Sequence, residues 1–383
     1  MLSLLLAIIY VAFISLGLPD SLLGSAWPIL HAELGVPLSF AGIVTMVISG
    51  GTILSSLLSD ALTRRFGAGR VTAVSVGLTA AALFGFSVSN EFWMLCLWAV
   101  PYGLGAGAID AALNNYVAVH YAARHMSWLH AMWGVGVTIS PYIMSACLVG
   151  GRGWQSGYRT VSIIQIVLTV FLFLSLPLWK KGQGTEEKAD VKPRAKNVFY
   201  IPGVPAVLCC FFGYCALEST AGLWASSYLV LARGIQETTA ARFAALFYIG
   251  ITVGRFVSGF VADKLGDRAL IRIGLTVIAV GILLVALPLG VDWIALGGLI
   301  IIGFGCAPIY PAVIHSTPHN FGEENSQRIV GIQMASAYFG STFMPPIFGA
   351  LTEVLPIAVY PFYLAVFALL MIAMSEWLNR IVK

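Results

Sequence analysis

Apolar residues fill most of the chain in long runs, and short polar stretches separate these runs. A run of roughly 20 apolar residues is long enough to cross a lipid bilayer as a helix. The pattern predicts twelve such spans, at residues 3–28, 38–62, 70–88, 92–118, 128–150, 158–179, 203–232, 239–262, 269–288, 292–314, 327–352 and 357–379. We therefore expect an all-α membrane protein with twelve transmembrane helices.

The one long polar stretch lies between the sixth and seventh predicted spans. It reads KKGQGTEEKADVKPRAKN from Lys180 to Asn197, and it is charged, contains glycine and has no apolar period. Such a composition is typical of a linker. The sequence therefore predicts an N-terminal six-helix bundle at 1–180, a cytoplasmic linker at 181–199 and a C-terminal six-helix bundle at 200–383.

Composition supports the membrane assignment and argues against several functional classes. The chain is 59% hydrophobic and 10% charged, whereas a soluble domain carries about 25% charged residues. It has no basic patch with interleaved aromatic residues, so we expect no nucleic-acid partner. The six cysteines lie in apolar runs without metal-ligand spacing, and no nucleophile, metal or phosphate-loop motif appears. The sequence therefore predicts no enzyme, no cofactor and no metal site.

The basic residues predict the orientation of the chain in the membrane. Sixteen of the 21 Lys and Arg residues fall in loops on one side, which includes the central linker, and only four fall on the other side. Cytoplasmic loops carry the excess of positive charge. Both termini and the linker are therefore expected in the cytoplasm. The first apolar run has no basic leader and no small-residue cleavage site, so it is expected to remain as a span.

Three matches between the halves indicate an internal repeat. The pairs are Gly51–Asp60 with Gly254–Asp263, Gly103–Gly105 with Gly303–Gly305, and Asp20–Gly24 with Glu218–Gly222, at offsets of 203, 200 and 198 residues. Near-equal offsets in the same order favour two parallel halves. Folds of this kind hold their substrate near the bilayer midplane.

The fourth predicted span carries Asp110 with the amides Asn114 and Asn115. Asp110 and Asn114 are one helical turn apart and share a face. Glycines at alternate positions from 103 to 107 leave a ridge on which another helix can pack closely. A charged group at the bilayer centre costs about 2.5–3.5 kcal/mol on insertion scales, so such an acid usually lies on an ion or substrate pathway. The alternative is a protonated Asp110 that only hydrogen-bonds to a neighbouring helix.

Asp20 and Glu218 are the other acids that lie well inside predicted spans and away from the loop motifs. An apolar environment disfavours the charged form of a carboxyl, so such acids can take up and release protons as a cavity opens and closes. The sequence thus predicts Asp110, Glu218 and Asp20 as proton-coupling residues. For Asp20, a polar helix contact beside Pro19 is the alternative.

A charged loop motif follows the second and eighth spans, and it resembles the G-x-x-x-D-R/K-x-G-R/K motif of the major facilitator superfamily. The second copy, GFVADKLGDR at Gly259–Arg268, fits that motif, whereas the first copy, SLLSDALTRRFGAGR at 56–70, has Ser56 in place of the first glycine. Together with twelve spans in two halves, this resemblance implies the major facilitator fold over the whole chain.

The predicted gating residues are Asp60, Arg64, Asp263 and Arg268 of the two loop motifs, together with Arg255. Among them Arg255 lies inside the eighth predicted span. Its long stem can let the charge reach water at the cytoplasmic end. The alternative is an ion pair with Asp263 or Asp60 that holds an inner gate shut.

Two motifs give a finer resemblance. G-A-G-A-I-D-A-A-L-N, which ends at Asn114, is similar to a pattern of the fucose and glucose permeases, the sugar–proton symporter branch, although that branch usually has Glu where this chain has Asp110. The run from Tyr214 to Leu229 resembles the seventh span of the same branch. This resemblance assigns Glu218, Trp224 and Tyr228 to the transport site.

Sugars present hydroxyl groups to amides and apolar C–H faces to aromatic rings. Residues of these types inside the spans are therefore candidate substrate-binding residues: Asn114, Asn115, Trp224, Trp133, Tyr228, Gln333 and Tyr338. Any neutral polar solute needs the same mixture of groups, and many membrane aromatics only anchor the chain at the interface.

The resemblance implies a secondary transporter that takes up a monosaccharide or related polyol with protons by alternating access. An exporter of drugs or metabolites, or a transporter-like receptor, stays open as an alternative, and so does Na⁺ as the coupling ion. The expected partners are the solute, protons and the lipid bilayer. We expect a monomeric multi-pass protein of the bacterial inner membrane.

Overall fold

The computed structural model of the chain describes residues 4–182, 197–287 and 291–382. Its helices are α1 (Leu4–Gly17), α2 (Leu22–Glu33), α3 (Ala41–Phe66), α4 (Ala68–Ser87), α5 (Phe92–His120), α6 (Ala123–Val149), α7 (Gly153–Leu174), α8 (Leu176–Gly182), α9 (Val204–Leu231), α10 (Glu237–Leu265), α11 (Asp267–Ala286), α12 (Asp292–Cys306), α13 (Ile309–Phe321), α14 (Glu323–Thr352) and α15 (Tyr360–Ile381). Three short 3₁₀ turns occur at Leu38–Phe40, Val198–Tyr200 and Ile357–Val359. Within these described ranges there is no strand, and the predicted all-α fold class is confirmed.

Eleven helical segments of the described chain are long and apolar enough to cross a membrane. The predicted span at 327–352 corresponds to α14, which has 30 residues and is therefore about 45 Å long. Its first turn carries Glu323 and Glu324, and its composition is less apolar than that of the other segments. The length of α14 is thus sufficient for a twelfth span, although α14 is not among the eleven apolar segments.

Two predicted spans are broken into two helices each. The first span consists of α1 and α2, and turn residues from 18 to 21 separate them. The tenth span consists of α12 and α13, which are separated at Ala307 and Pro308. Pro19 and Pro308 lie in these breaks, and proline has no N–H for a helical hydrogen bond. Irregular backbone at membrane depth is tolerated where protein or a water-filled cavity surrounds it.

Contacts between residues divide the chain into two compact units. One unit contains Met1–Tyr116 and Leu129–Arg194, and the other contains Val117–Trp128 and Ala195–Lys383. We call them the N-terminal and C-terminal units. The predicted domain boundaries at 180 and 200 stay a prediction, and most of the predicted linker at 181–199 lies outside the described residues.

The core of the N-terminal unit is rich in aromatic side chains. Phe86 of α4 and Trp154 of α7 both contact Tyr158, with ring centroids 5.4 Å and 6.0 Å apart. All three side chains are buried. The α4–α7 contact is also polar, because Ser162 Oγ donates to the carbonyl oxygen of Ala80 at 2.9 Å. These contacts join α4 to α7 in the core of the N-terminal unit.

In the C-terminal unit, α9 packs between α14 and α15. Gly340 of α14 lies so close to α9 that an added Cβ atom would meet the carbonyl oxygen of Phe212 at 2.6 Å. Small residues allow this approach, because transmembrane helices associate through close packing. On the other side, the Tyr360 hydroxyl of α15 donates to the carbonyl oxygen of Ala221 at 2.9 Å. These contacts hold α9, which carries Glu218, at the centre of the unit.

The internal repeat is visible in the backbone where α4 and α11 begin. Gly67 precedes α4 with φ 82° and ψ 151°, and Gly266 precedes α11 with φ 74° and ψ 162°. Only glycine adopts such positive φ values without strain. The two loop motifs therefore share a conformation as well as a sequence pattern.

Candidate functional site

Asp20 lies in the break between α1 and α2 and accepts two side-chain hydrogen bonds. Tyr102 donates its hydroxyl to Oδ1 at 2.9 Å, and Trp133 donates Nε1 to Oδ2 at 2.8 Å. Tyr102 is buried, whereas Asp20 is exposed. Charge-assisted hydrogen bonds of this length are stronger than neutral ones. The structure thus brings the predicted residues Asp20 and Trp133 together, with Tyr102 as a third member that sequence reasoning missed.

The helix break places Asp20 at the start of α2. Ser21 is the N-cap residue of α2, and its hydroxyl donates to the carbonyl oxygen of Val137 in α6 at 2.8 Å. The N-terminus of a helix carries a partial positive charge that favours a nearby carboxylate. Asp20 therefore has both directed donors and a favourable local field.

Asp110, Asn114 and His130 form a second polar cluster in the N-terminal unit. Asn114 Nδ2 donates to Asp110 Oδ1 at 2.7 Å, and His130 Nε2 lies 2.9 Å from Asn114 Oδ1. The exposed fractions of these residues are 4%, 0% and 5%. Hydrogen bonds reduce the cost of burying polar groups at membrane depth. The structure buries His130 beside Asn114, and the sequence analysis did not include it among the candidate site residues.

The glycines ahead of Asp110 allow close contact with α3. Cβ atoms added to Gly103 and Gly107 would collide with the carbonyl oxygens of Ile48 and Thr52. Ser56 of α3 also donates its hydroxyl to the Gly107 carbonyl oxygen at 3.3 Å. The predicted close packing on the glycine ridge is therefore present, and the neighbouring helix is α3.

The same two helices carry both clusters of the N-terminal unit. On α5, Tyr102 and Asp110 are eight residues apart, which is about 12 Å along the axis. On α6, His130 and Trp133 are three residues apart and lie on the same side of the helix. A movement of α5 against α6 would therefore change the hydrogen bonds that hold Asp20 and the contact of His130 with Asn114, the amide that donates to Asp110.

Glu218 lies near Arg255 in the C-terminal unit. The distance between Arg255 Nη2 and Glu218 Oε1 is 3.7 Å, and the side chains are 4% and 17% exposed. Arg255 Nη2 also lies 3.5 Å from the Tyr214 hydroxyl, and its guanidinium stands 5.9 Å from the ring centre of Tyr310. This aromatic surrounding helps to stabilise a cation away from bulk water.

The position of Arg255 corrects an expectation from the sequence. Its side chain is buried and does not reach water at the cytoplasmic end of α10. It pairs with Glu218, which lies inside α9, and the predicted partners Asp263 and Asp60 instead pair with Arg124 and Arg64. The reason is spacing: Asp263 is eight residues further along α10, or about 12 Å from Arg255 along the axis.

Trp224 and Tyr228 of α9 are both engaged in contacts within the C-terminal unit. Trp224 Nε1 donates to the carbonyl oxygen of Pro345 at 3.0 Å. The Tyr228 hydroxyl donates to the carbonyl oxygen of Val285 at 2.9 Å and accepts from Arg233 Nε at 3.2 Å. Tyr228 is buried and Trp224 is only partly so. Their predicted roles in solute binding stay a prediction, with Trp224 the more accessible of the two.

The remaining candidate substrate residues differ in burial. Gln333 of α14 is buried, and its Oε1 accepts from the Thr317 hydroxyl at 3.1 Å. Tyr338 of α14 and Asn115 of α5 are partly buried. Asn115 is adjacent to Asn114 on α5, so the two amides point in different directions around the helix. The substrate roles of these residues stay predictions.

The first loop motif contains a local ion pair. Arg64 Nη2 lies 3.0 Å from Asp60 Oδ2, one helical turn away on α3. Asp60 is buried, whereas the Arg64 side chain is 55% exposed. Pairs of this kind contribute little on an open surface.

The second loop motif contacts the start of α6. Asp263 accepts the backbone N–H of Arg124 at 3.1 Å, and its other oxygen lies 3.4 Å from Arg124 Nε. Trp128 packs against Phe260, with ring centroids 5.5 Å apart. Arg268 donates from Nη2 to the carbonyl oxygen of Val382 at 2.6 Å. Sequence reasoning missed Arg124, because nothing in the linear pattern places it beside Asp263.

The donor sets described here do not resemble a metal or cofactor site. Among the described residues, no group of three or more His, Cys, Asp or Glu side chains could hold a metal ion. The two clusters of the N-terminal unit instead combine one carboxylate each with amide, imidazole, indole or phenol groups. Such groups can exchange protons and bind hydroxyl groups.

Sequence comparison finds relatives along most of the chain. Bypass of stop codon protein 6 of Saccharomyces cerevisiae is 22% identical over 66% of this chain and 56% of that protein. The cis,cis-muconate transport protein of Acinetobacter baylyi is 23% identical over 62% of this chain and 61% of that protein. The matches thus span less than two thirds of either relative. The glucose/mannose transporter GlcP of Bacillus subtilis is 18% identical over 89% of this chain and 86% of that protein.

Solved structures share the fold over nearly the whole chain. The Major Facilitator Superfamily transporter FucP, in the outward conformation, superposes with a TM-score of 0.79 at 12% identity over 98% of this chain and 99% of that chain. The proton:xylose symporter XylE, bound to 6-bromo-6-deoxy-D-glucose, gives a TM-score of 0.82 at 13% identity over 99% and 95%. At these identities the similarity shows the fold alone.

A family model settles the assignment. The model described as Major Facilitator Superfamily matches residues 9–241 and, in an overlapping second match, residues 206–380. The apolar helices, the repeated loop motif and the fold similarity agree with that match. The chain is therefore a multi-pass membrane transporter that belongs to the Major Facilitator Superfamily.

Proposed function

We propose that this transporter takes up a monosaccharide or a related polyol together with a proton, by alternating access. The observation that carries the proposal is the Asp20 cluster, in which an exposed carboxylate is held by Tyr102 and Trp133. In this proposal Asp110 is the main coupling acid, and Glu218 and Asp20 assist the coupling or bind solute.

The chemistry of the Asp20 cluster suits a polyhydroxylated solute. A carboxylate accepts hydrogen bonds from hydroxyl groups, and the partly exposed Trp133 ring offers an apolar face for C–H groups. The names of GlcP and XylE also describe sugar transport, although their identities to this chain are only 18% and 13%. These similarities support a sugar as the first class of solute to test.

Proton coupling is proposed for Asp110 because it is an acid in a buried hydrogen-bonded cluster. Its residue is 4% exposed, and an apolar environment disfavours the charged form of a carboxyl. Water that enters when the site opens would stabilise the charged form and release the proton. If the pKa of an acid differs by one unit between two conformations, about 1.36 kcal/mol of free energy is available to bias the transport cycle.

A second candidate is a solute that carries a carboxylate. Arg255 favours it, because arginine pairs with carboxylates through a planar set of donors, and a solute carboxylate could replace Glu218 as its partner. The relative from Acinetobacter baylyi is named as a transporter of cis,cis-muconate, at 23% identity. The first experiment should therefore include acidic as well as neutral sugars.

Uptake into proteoliposomes tests the proposal. Purified protein is reconstituted, and radiolabelled monosaccharides, polyols and sugar acids are offered with and without a pH gradient. We expect one neutral solute to accumulate only with the gradient. Asp110→Asn, which mimics the protonated acid, should keep exchange of solute for solute and lose accumulation. Asp292→Asn at the exposed start of α12 is the matched control and should keep both.

Three outcomes would contradict the proposal, in its coupling residue, its coupling ion or its solute. Full gradient-driven accumulation by the Asp110→Asn variant would move the coupling to another acid, such as Glu218 or Asp20. Accumulation that follows Na⁺ and ignores pH would replace the proton by sodium. If only acidic solutes accumulate, the second candidate replaces the first.

A further inference from the structure

We propose that His130 is a positioning residue for Asp110 and that it acts through the side-chain amide of Asn114. The inference rests on the proposed coupling role of Asp110. In this proposal, His130 of α6 influences whether Asp110 of α5 is ionised.

The argument begins with the two hydrogen bonds of Asn114. An amide side chain has one carbonyl oxygen that accepts and one NH₂ group that donates. Asn114 Nδ2 donates to Asp110 Oδ1 at 2.7 Å, which leaves Asn114 Oδ1 facing His130 Nε2 at 2.9 Å. Because Asn114 Oδ1 is an acceptor, His130 must donate, and Nε2 therefore carries a proton.

His130 in this form fixes the direction of the amide. If Nε2 did not donate, its lone pair would favour the NH₂ group of Asn114 over the amide oxygen, and the side chain of Asn114 could rotate by half a turn. A rotated amide would present its oxygen to Asp110. That oxygen repels a carboxylate but accepts a hydrogen bond from a protonated carboxyl. The donor at His130 therefore favours the ionised form of Asp110, the form that has released its proton.

The imidazole ring is itself held in place. Phe13 of α1 meets it edge-on, with ring centroids 5.4 Å apart, and His130 is 5% exposed. Apart from Asp110, the acidic residues in α1, α3, α5, α6 and the break after α1 are Asp20, which Tyr102 and Trp133 hold, and Asp60, which pairs with Arg64. Asp110 is the titratable group that is linked to His130 through Asn114.

Nitrogen-15 NMR of the histidine rings tests the proton position without any solute. Protein with ¹⁵N-labelled histidine is measured in lipid nanodiscs, and the His130→Gln variant identifies the His130 signals by their loss from the six histidines. We expect Nε2 of His130 to carry a proton in the wild-type protein. An Asn114→Leu variant should let His130 populate both neutral tautomers. An unprotonated Nε2 in the wild-type protein would overturn the inference.

Transport of the solute found in the screen provides the second test. Gln can place an amide donor near the position of Nε2, whereas Met fills the space without a donor. We expect His130→Met to reduce gradient-driven accumulation about tenfold or more, as loss of a hydrogen bond that supports a charge implies. The pH of half-maximal accumulation should also move to a higher value. His130→Gln should restore both.

These readouts separate a positioning role from a structural one and from failure of the proposed function. A residue that only fills space would give equal losses in the Met and Gln variants, with an unchanged pH profile, and that result would contradict the inference. If Asp110→Asn keeps full accumulation, the proposed coupling role fails and the transport part of the inference fails with it. The NMR result for His130 stays valid in that case, because it depends on hydrogen bonding alone.

Discussion

Trp133 donates its indole N–H to Oδ2 of Asp20 at 2.8 Å, across 113 residues of sequence. The donor belongs to α6 and the acceptor to the break in the first span, so the contact ties a helix to an irregular segment. Tyr102 of α5 completes the arrangement by donating to Oδ1 at 2.9 Å. The carboxylate is thus held by two side chains although its residue is exposed, which is the combination that a solute-binding acid needs.

Loss of either donor should weaken solute binding. A hydrogen bond to a charged group contributes about 1.5–3 kcal/mol, so Trp133→Phe and Tyr102→Phe should each raise the apparent Kd about tenfold or more. Binding can be measured by isothermal titration in detergent. Tyr158→Phe is the matched control, because its buried hydroxyl has no hydrogen-bond partner among the described residues. An equal loss in the control would mean that the effect is one of general stability.

The pair of Glu218 and Arg255 should stabilise the C-terminal unit more than a surface pair does. Removal of one partner of a buried ion pair costs about 3–5 kcal/mol, because the other charge stays buried. We therefore expect Arg255→Met to lower the melting temperature strongly, and the double variant with Glu218→Gln to recover part of the loss. Melting temperatures of the two single variants and the double variant form a double-mutant cycle.

Arg272 and Glu376 provide the comparison for that cycle. They form a bidentate pair at 2.6 Å and 2.7 Å, with side chains 57% and 38% exposed. Their geometry is better, but water screens them. The same double-mutant cycle on Arg272 and Glu376 gives their interaction energy. An interaction energy equal to or larger than that of Glu218 and Arg255 would show that burial does not strengthen the pair of Glu218 and Arg255.

Asp263→Asn should loosen the segment Val117–Trp128, which contains the end of α5 and the start of α6. Asp263 binds Arg124 through a backbone hydrogen bond and an ion pair, and asparagine keeps at most the first. We expect backbone amides in Val117–Trp128 to exchange with deuterium several-fold faster, as hydrogen-exchange mass spectrometry can measure. Glu376→Gln removes a charge from the same unit away from this segment and should leave its exchange rate unchanged. Unaltered exchange in the Asp263 variant would leave Trp128 and Phe260 as the contacts that hold the segment.

The orientation in the membrane can be tested on the predicted linker. Sixteen basic residues against four predict that the linker is cytoplasmic. In a background without the six native cysteines, Lys188→Cys should resist an impermeant thiol reagent in intact cells and react after permeabilisation. Arg152→Cys lies on the opposite predicted side and should react in both. Labelling of residue 188 in intact cells would reverse the predicted orientation.

Much of the fold follows from local patterns that the sequence displays. Apolar runs of about 20 residues predict spans because bilayer thickness sets their length. The glycines of α5 predict close packing because the lack of a side chain lets the backbone of any neighbouring helix approach. The repeat between Gly67 and Gly266 extends to backbone angles, since both positions require glycine at positive φ. Each of these features depends on residues that are close together in the sequence.

The candidate site could be predicted only in part, because its contacts join distant residues. The pairing of Arg255 with Glu218 depends on how α9 and α10 pack, and the sequence pattern favoured acids nearer the end of α10 instead. The burial of His130 depends in the same way on the packing of α5 and α6. Asp110 and Asn114 were predicted to share a face, since one helical turn separates them, and the structure joins them by a hydrogen bond.

The break in the first span has a consequence for the way the chain enters the membrane. The helix α1 has 14 residues and is about 21 Å long, whereas the hydrocarbon core of a bilayer is about 30 Å thick. The helix α1 by itself is therefore too short to span. The insertion machinery has to accept Asp20 together with α2, so the segment Leu4–Glu33 should enter the membrane as one unit.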